Sequence, residues 1–134
     1  MLPTDFVVAA TIAPDAATDV VDRDSIPADK MGLDIGPASI ARFSEEIAAA
    51  RTIFWNGPMG VFELAPFEAG TKGVADAICA NREASSIVGG GDSGAALLKF
   101  GLSDGVTFVS TGGGASMKLI EGDALPGVEA LLDR

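Results

Sequence analysis

The chain contains no histidine and a single cysteine, Cys79. The first absence excludes a Ser-His-Asp triad, a Cys-His pair and a histidine metal cluster built from its own 134 residues. The second excludes an intrachain disulfide and a cysteine zinc site. Cys79 falls in an apolar helical pattern with Val74 and Ile78 and reads as core, as does Trp55, the only tryptophan. Basic residues are scarce: 9 Lys and Arg stand against 19 Asp and Glu, for a net charge of −10. Such a surface repels nucleic acid, and no basic stripe exists, so that partner is excluded. Long apolar runs are also missing. Phe6 to Ala10 and Ala95 to Leu98 fall far short of the roughly 20 residues of a membrane span. The N-terminus has neither the basic start nor the apolar run of a signal peptide, so a cytoplasmic location is expected.

What is present is globular: 48% of residues are hydrophobic, enough for one domain over residues 1–134. Leu2 to Ala10 reads as a strand, and Thr11 to Lys30 as a long excursion or a hairpin around Val20-Val21. A turn is expected at Asp34-Ile35-Gly36-Pro37. Pro37 suits a first helical position, and Ile40, Phe43, Ile47 and Ala50 mark one helical face. Then a pattern repeats. Strands at Thr52 to Trp55, Ser86 to Val88 and Val106 to Val109 precede helices from about Phe67 to Ala80, Ser93 to Phe100 and Ala115 to Glu121. Strands alternating with helices predict an α/β fold: a Rossmann-like parallel sheet flanked by helices, as a partial three-layer lobe. The tail from Leu125 to Leu132 is apolar for a terminus and suits docking on this domain or another.

Between strand and helix lie glycine-rich turns: Asn56-Gly57-Pro58-Met59-Gly60, Gly89-Gly90-Gly91-Asp92-Ser93 and Ser110-Thr111-Gly112-Gly113-Gly114. A helix start presents unpaired amides, and glycine lets a phosphate approach them. Several such turns in register suggest one ligand groove along the edge of a parallel sheet. No Lys or Arg lies inside a turn, so phosphates would need amides, helix dipoles and a divalent cation, or cations from another piece of protein.

Gly89-x-Gly91-x-x-Gly94 matches the dinucleotide fingerprint formally. The acidic residue which that fingerprint wants at the end of the next strand is replaced by Val109, Ser110 and Thr111, which speaks against an NAD site. No Gly-Lys-Ser/Thr follows any turn, so a Walker loop is excluded as well. Asp92 reads equally as a helix N-cap and as a ligand for phosphate-bound magnesium. Glu63 reads as solvated surface. Asn56 reads as a turn residue whose amide is able to donate to a phosphate. Thr111 and Ser116 are positioned to cap or donate near the third turn.

Together, Leu2-Pro3-x-Asp5-Phe6-Val7, Met31 to Pro37, Trp55 to Glu63, Phe67-x-x-Gly70-Thr71, Gly89 to Ser93, Ser110 to Ser116 and Leu125 to Val128 resemble phosphoglycerate kinase, in that family's order and spacing. The resemblance covers roughly the family's final third, the second half of its nucleotide-binding lobe. Met1 stands directly before what is an internal strand of the family, which suggests a fragment. The resemblance implies phosphoryl transfer between 1,3-bisphosphoglycerate and ADP in glycolysis, with Mg²⁺ and ADP or ATP bound here.

The resemblance also implies residue roles. Leu33 matches an apolar wall of the adenine slot, Glu63 the ribose contact and Asn56 a phosphate contact. Gly90, Gly91 and Ser93 match the loop and helix start facing the β- and γ-phosphates. Asp92 matches the magnesium ligand, and Gly112, Gly113 and Gly114 the helix start that stabilises the transferring phosphoryl group. The family often has Thr at Ser93, and the hydroxyl survives. The acid-binding lobe with its catalytic arginine and the first part of the nucleotide lobe with its phosphate lysine are not in this chain. Kinase activity of the chain alone is therefore not expected. The missing N-terminal part is an expected partner, and self-association of a half-lobe is the rival expectation.

Overall fold

The computed structural model describes residues 1–132. Two sheets organise the chain. The first is antiparallel, in the order β2-β1-β3, from β1 (Asp5–Ala9), β2 (Asp19–Asp22) and β3 (Met31–Ile35). The second is parallel, in the order β4-β5-β6, from β4 (Thr52–Asn56), β5 (Ser85–Gly89) and β6 (Phe108–Ser110). The helices are α1 (Pro37–Ala49), α2 (Ala69–Ala80), α3 (Gly91–Phe100), α4 (Gly113–Glu121) and α5 (Pro126–Leu132).

The expected parallel sheet flanked by helices is present. The antiparallel sheet is the addition. Of the two readings of Thr11 to Lys30, the hairpin holds, with Val21 opposite Phe6 and Val20 opposite Val7. The expected turn at Asp34-Ile35 is the end of β3, where Ile35 pairs with Phe6. The sequence misleads there because Asp and the following Gly-Pro are turn formers, while the deciding partner strand lies far upstream. Strand β6 starts two residues later than expected. Below it side chains enter the pairing: Ser86 donates its amide to the Thr107 hydroxyl at 3.0 Å, and the Thr107 amide is shared between the Ser86 hydroxyl at 3.0 Å and the Ser86 carbonyl at 3.1 Å. Helices α3 and α4 start two residues earlier than expected, because their glycines join the first turn.

Ile53, Trp55 and Val88 point to one face of the parallel sheet and pack with Val74, Ile78, Cys79, Ala96 and Leu97 of α2 and α3. Ile40, Phe43 and Ile47 of α1 close this core, as their spacing predicts. A smaller cluster of Ala9, Leu33 and Phe67 lies under the antiparallel sheet. Trp55 and Cys79 are buried, as expected. Burial pushes the Cys79 thiol pKa up, Arg82 opposing it, so the thiol stays protonated and inert. The opposite face carries the row Phe54, Ile87 and Phe108, and it is open: Phe108 is 60% exposed.

Helix α1 begins after Gly36, which has no side chain to cap it. The cap comes from β1 instead. The Asp5 carboxylate accepts the amides of Ala38 and Ser39 at 3.0 and 2.8 Å and the Ser39 hydroxyl at 2.6 Å. Burial alone would raise the Asp5 pKa, but the Ser39 hydroxyl and these amides together hold it below its ordinary value. A Cβ at Gly36 would lie 2.2 Å from this carboxylate, so glycine is required there.

Candidate functional site

Parallel pairing sets Asn56 beside Gly89 and Gly89 beside Ser110, at the C-terminal end of each strand. All three glycine turns therefore leave the sheet at the same end. They touch. The Gly57 amide donates to the Ser93 hydroxyl at 2.7 Å, and the Gly90 amide donates to the Ser110 carbonyl at 3.0 Å. A Cβ at Gly113 would lie 2.7 Å from the Gly90 backbone and 2.8 Å from Asn56 Oδ1. Only glycine lets the third turn close on the second. Gly57 and Gly90 hold φ of 95° and 94°, a region L side chains rarely adopt.

Two helix starts face this junction. In α3 the first backward amide bond is Gly94 to Gly90, which leaves the amides of Gly91, Asp92 and Ser93 ahead of the ladder. In α4 it is Ser116 to Gly112, which leaves those of Gly113, Gly114 and Ala115. A Cβ at Gly91 or Gly114 would meet nothing within 4 Å, so the space before both helices is open. Asp92 is exposed and second in α3. Gly90, without a side-chain bond, holds the cap position, so the N-cap reading of Asp92 does not hold. Ser93 is fully buried, and its hydroxyl is engaged by Gly57. Ser116 closes the third turn: its hydroxyl donates to the Gly112 carbonyl at 3.1 Å and lies 3.2 Å from that of Ser110. Among the described residues no cluster of three or more carboxylate, cysteine or histidine side chains exists to hold a metal. Asp92 offers a single carboxylate beside free amides.

Beside the first turn lies a cleft of about 300 Å³ lined by Phe6, Leu33, Pro58, Met59 and Val61 among others. Its walls are tied together. Val61 donates its amide to the Leu33 carbonyl at 2.9 Å. The Thr71 hydroxyl accepts the amides of Met59 and Gly60 at 3.1 and 3.3 Å. The buried Asp34 carboxylate accepts the Gly70 amide at 2.6 Å and its neighbour Ile35's at 2.9 Å. Burial pushes the Asp34 pKa up to about 6, against the pull of those two amides. Glu63 is exposed, two residues past Val61 in the cleft wall. A larger hollow of about 690 Å³, lined by Ser44, Ala77 and Asn81 among others, lies by the opposite strand ends and holds none of the expected site residues.

The structure thus gathers Asn56, Gly90, Ser93 and Gly113 at one junction, with Gly91, Asp92, Gly112 and Gly114 around it. Leu33 and Glu63 stand to the side, along the cleft and its rim. Sequence reasoning missed Asp5, Asp34, Thr71 and Lys99, which hold these parts. Only the capless Gly36-Pro37 start hinted at an outside acceptor.

Residues 1–123 match the phosphoglycerate kinase family. The chain is 58% identical over 132 residues to a phosphoglycerate kinase of Frankia casuarinae, covering 98% of this chain and 33% of that protein. It is 55% identical over 132 residues to one of Salinispora arenicola, with the same coverage. The structure of phosphoglycerate kinase from Coxiella burnetii superposes with a TM-score of 0.91 at 42% identity, over 100% of this chain and 34% of that one. The enzyme from Pyrococcus horikoshii gives 0.83 at 36% identity, over 97% of this chain and 32% of that one. The chain spans about a third of the length of these relatives, and it belongs to the phosphoglycerate kinase family.

Proposed function

We propose that residues 1–134 form part of the nucleotide lobe of a phosphoglycerate kinase and bind ADP or ATP with Mg²⁺. The observation that carries this reading is the contact of Gly113 with Gly90 and Asn56, which places two open helix starts on one junction. The adenine would lie against Leu33 in the cleft, the ribose hydroxyls on Glu63, and the phosphates along Asn56, Gly90 and Gly91. Ser93 contributes its amide, since its hydroxyl is fully buried against Gly57. The donor set fits a phosphate-bound cation: one exposed carboxylate, Asp92, beside amides in open space, with phosphate oxygens completing the shell. When bound, Mg²⁺ neutralises phosphate charge. The chain's own part is to orient the phosphates; the amides of Gly113 and Gly114 would stabilise the transferring phosphoryl group, while that of Gly112 donates to the Ser110 hydroxyl at 3.3 Å.

With a net charge of −10 and no cation in any turn, this surface holds half of a phosphoryl-transfer site. The complete reaction, between 1,3-bisphosphoglycerate and ADP in cytoplasmic glycolysis, needs the part of the kinase that the chain does not span. Titration with MgADP and MgATP followed by NMR tests the reading. Shifts at Gly91, Asp92, Ser93 and Glu63 are expected. A folded sample without them overturns the binding, and turnover by the pure chain overturns its incompleteness.

A second reading rests on the open sheet face. Phe108, on that face of the edge strand β6, is 60% exposed. Such a surface drives self-association. Light scattering that shows a monomer at high concentration rules this out.

A further inference from the structure

Helix α3 begins at the phosphate-facing turn and ends at Lys99-Phe100. Its own last carbonyls are satisfied by backbone: Gly101 donates to Leu98 at 3.2 Å and Leu102 to Leu97 at 2.9 Å. Lys99 is therefore not needed as a cap, and its side chain reaches elsewhere. Nζ donates to the Phe62 carbonyl at 2.6 Å, to the Glu68 carboxylate at 2.7 Å, and weakly to the Glu63 carbonyl at 3.4 Å. These acceptors account for all three donors of an ammonium. The adjacent Phe100 ring meets the Phe62 ring edge-on, with centroids 6.5 Å apart. The end of α3 thus grips the backbone that carries Glu63. The exposed Glu63 side chain has no role in that grip; only its carbonyl is used.

We propose that Lys99 is a positioning residue for the ribose end of the nucleotide site: it fixes the Phe62-Glu63 backbone, and so the direction of the Glu63 carboxylate, to the same helix that presents Gly91 and Asp92. The inference rests on the nucleotide reading above. One rigid element then sets both handles, and loss of the lysine frees the ribose handle while leaving the phosphate handle in place.

The test compares ADP with 2′,3′-dideoxy-ADP, each with Mg²⁺, by calorimetric titration of the chain. The unsubstituted chain should prefer ADP. Lys99→Met keeps the apolar stem and removes the donors. It should erase about tenfold of that preference and leave dideoxy-ADP affinity unchanged, with Lys99→Arg restoring part of it. Glu68→Gln, a near-isosteric change at a half-buried residue, should lower the preference in the same direction by less. A purely structural lysine would weaken both nucleotides equally. That outcome, or an unchanged preference in both Lys99→Met and Glu68→Gln, overturns the proposal. Failure of the unsubstituted chain to bind either nucleotide overturns the nucleotide reading and the ribose role together. Binding of both nucleotides with equal affinity by the unsubstituted chain overturns the ribose role alone.

Discussion

The Gly57 amide donates to the buried Ser93 hydroxyl at 2.7 Å, joining the first glycine turn to the helix that follows the second. A hydroxyl that is 0% exposed and engaged in this way is a structural fastener. Ser93→Ala leaves the amide without its partner and should cost about 1–3 kcal/mol. Urea denaturation measures this, and an unchanged midpoint would show the bond to be dispensable.

Gly113 and Gly114 are neighbours with opposite expectations. A Cβ at Gly113 meets the Gly90 backbone at 2.7 Å, whereas one at Gly114 meets nothing within 4 Å. Gly113→Ala should push the turns apart, lower stability by about 1–3 kcal/mol and diminish MgADP-induced shifts at Gly90 to Ser93. Gly114→Ala should leave stability unchanged or raise it by up to about 1 kcal/mol. Equal melting temperatures for the two variants would contradict this contrast.

Asp92 is exposed and stands beside free amides, with no metal-holding cluster of carboxylates among the described residues. Nucleotide affinity should therefore depend on Mg²⁺. Chelation by EDTA should weaken ADP binding by an order of magnitude or more, about 1.4 kcal/mol or above. Asp92→Asn should weaken MgADP binding but change metal-free ADP binding little. If the variant weakens both equally, the carboxylate is not acting through the metal.

Asp34 introduces a pH dependence. Its pKa rises from 3.8 to about 6 on folding, so between those values the folded chain holds more protons than the unfolded one. Stability should fall as pH rises through that window and level off above about 6, by at most about 3 kcal/mol. Asp34→Asn should flatten this slope. A melting temperature that rises between pH 4 and pH 6 in the unsubstituted chain, and equally in Asp34→Asn, would refute the assignment.

Asp5 acts in the opposite sense. Its folded pKa lies below the ordinary value, so its contribution is complete above that value and is lost as pH falls through the lowered one. Asp5→Ala removes the tertiary cap of α1 and should cost about 2 kcal/mol at neutral pH. The loss should appear in hydrogen exchange as deprotection of the first turn of α1.

The parallel sheet was legible from residues close in sequence. Ile53, Trp55 and Val88 are short apolar strand signals, and the second and third turns announce themselves by three adjacent glycines each. The antiparallel sheet was legible only in part: its first strand and the hairpin at Val20-Val21 were among the readings, but β3 was not, because Asp34-Ile35 carries turn chemistry locally and becomes strand only through pairing with Phe6. Helix starts were misplaced by two residues, because propensity penalises both Gly91 and Gly113, although only at Gly113 does a tertiary contact demand glycine. Candidate site residues were readable where they sit in motifs, as Asn56, Asp92 and Gly113 do. Those that hold the site were not.

By itself the sequence determined the alternating strand-helix order, the three glycine turns, the absence of histidine and of any cation inside those turns, and the kinase family that these resemble. These are properties of neighbours along the chain, governed by periodicity, propensity and charge. Tertiary structure alone decided that Asp5 caps α1, that Asp34 ties β3 to α2 and that Lys99 grips Phe62. These pairs lie 34, 36 and 37 residues apart. Their residues carry no local signature, because a buried carboxylate or an ammonium acquires its role only when folding brings a donor or a carbonyl within hydrogen-bond reach and removes the water that would otherwise satisfy it.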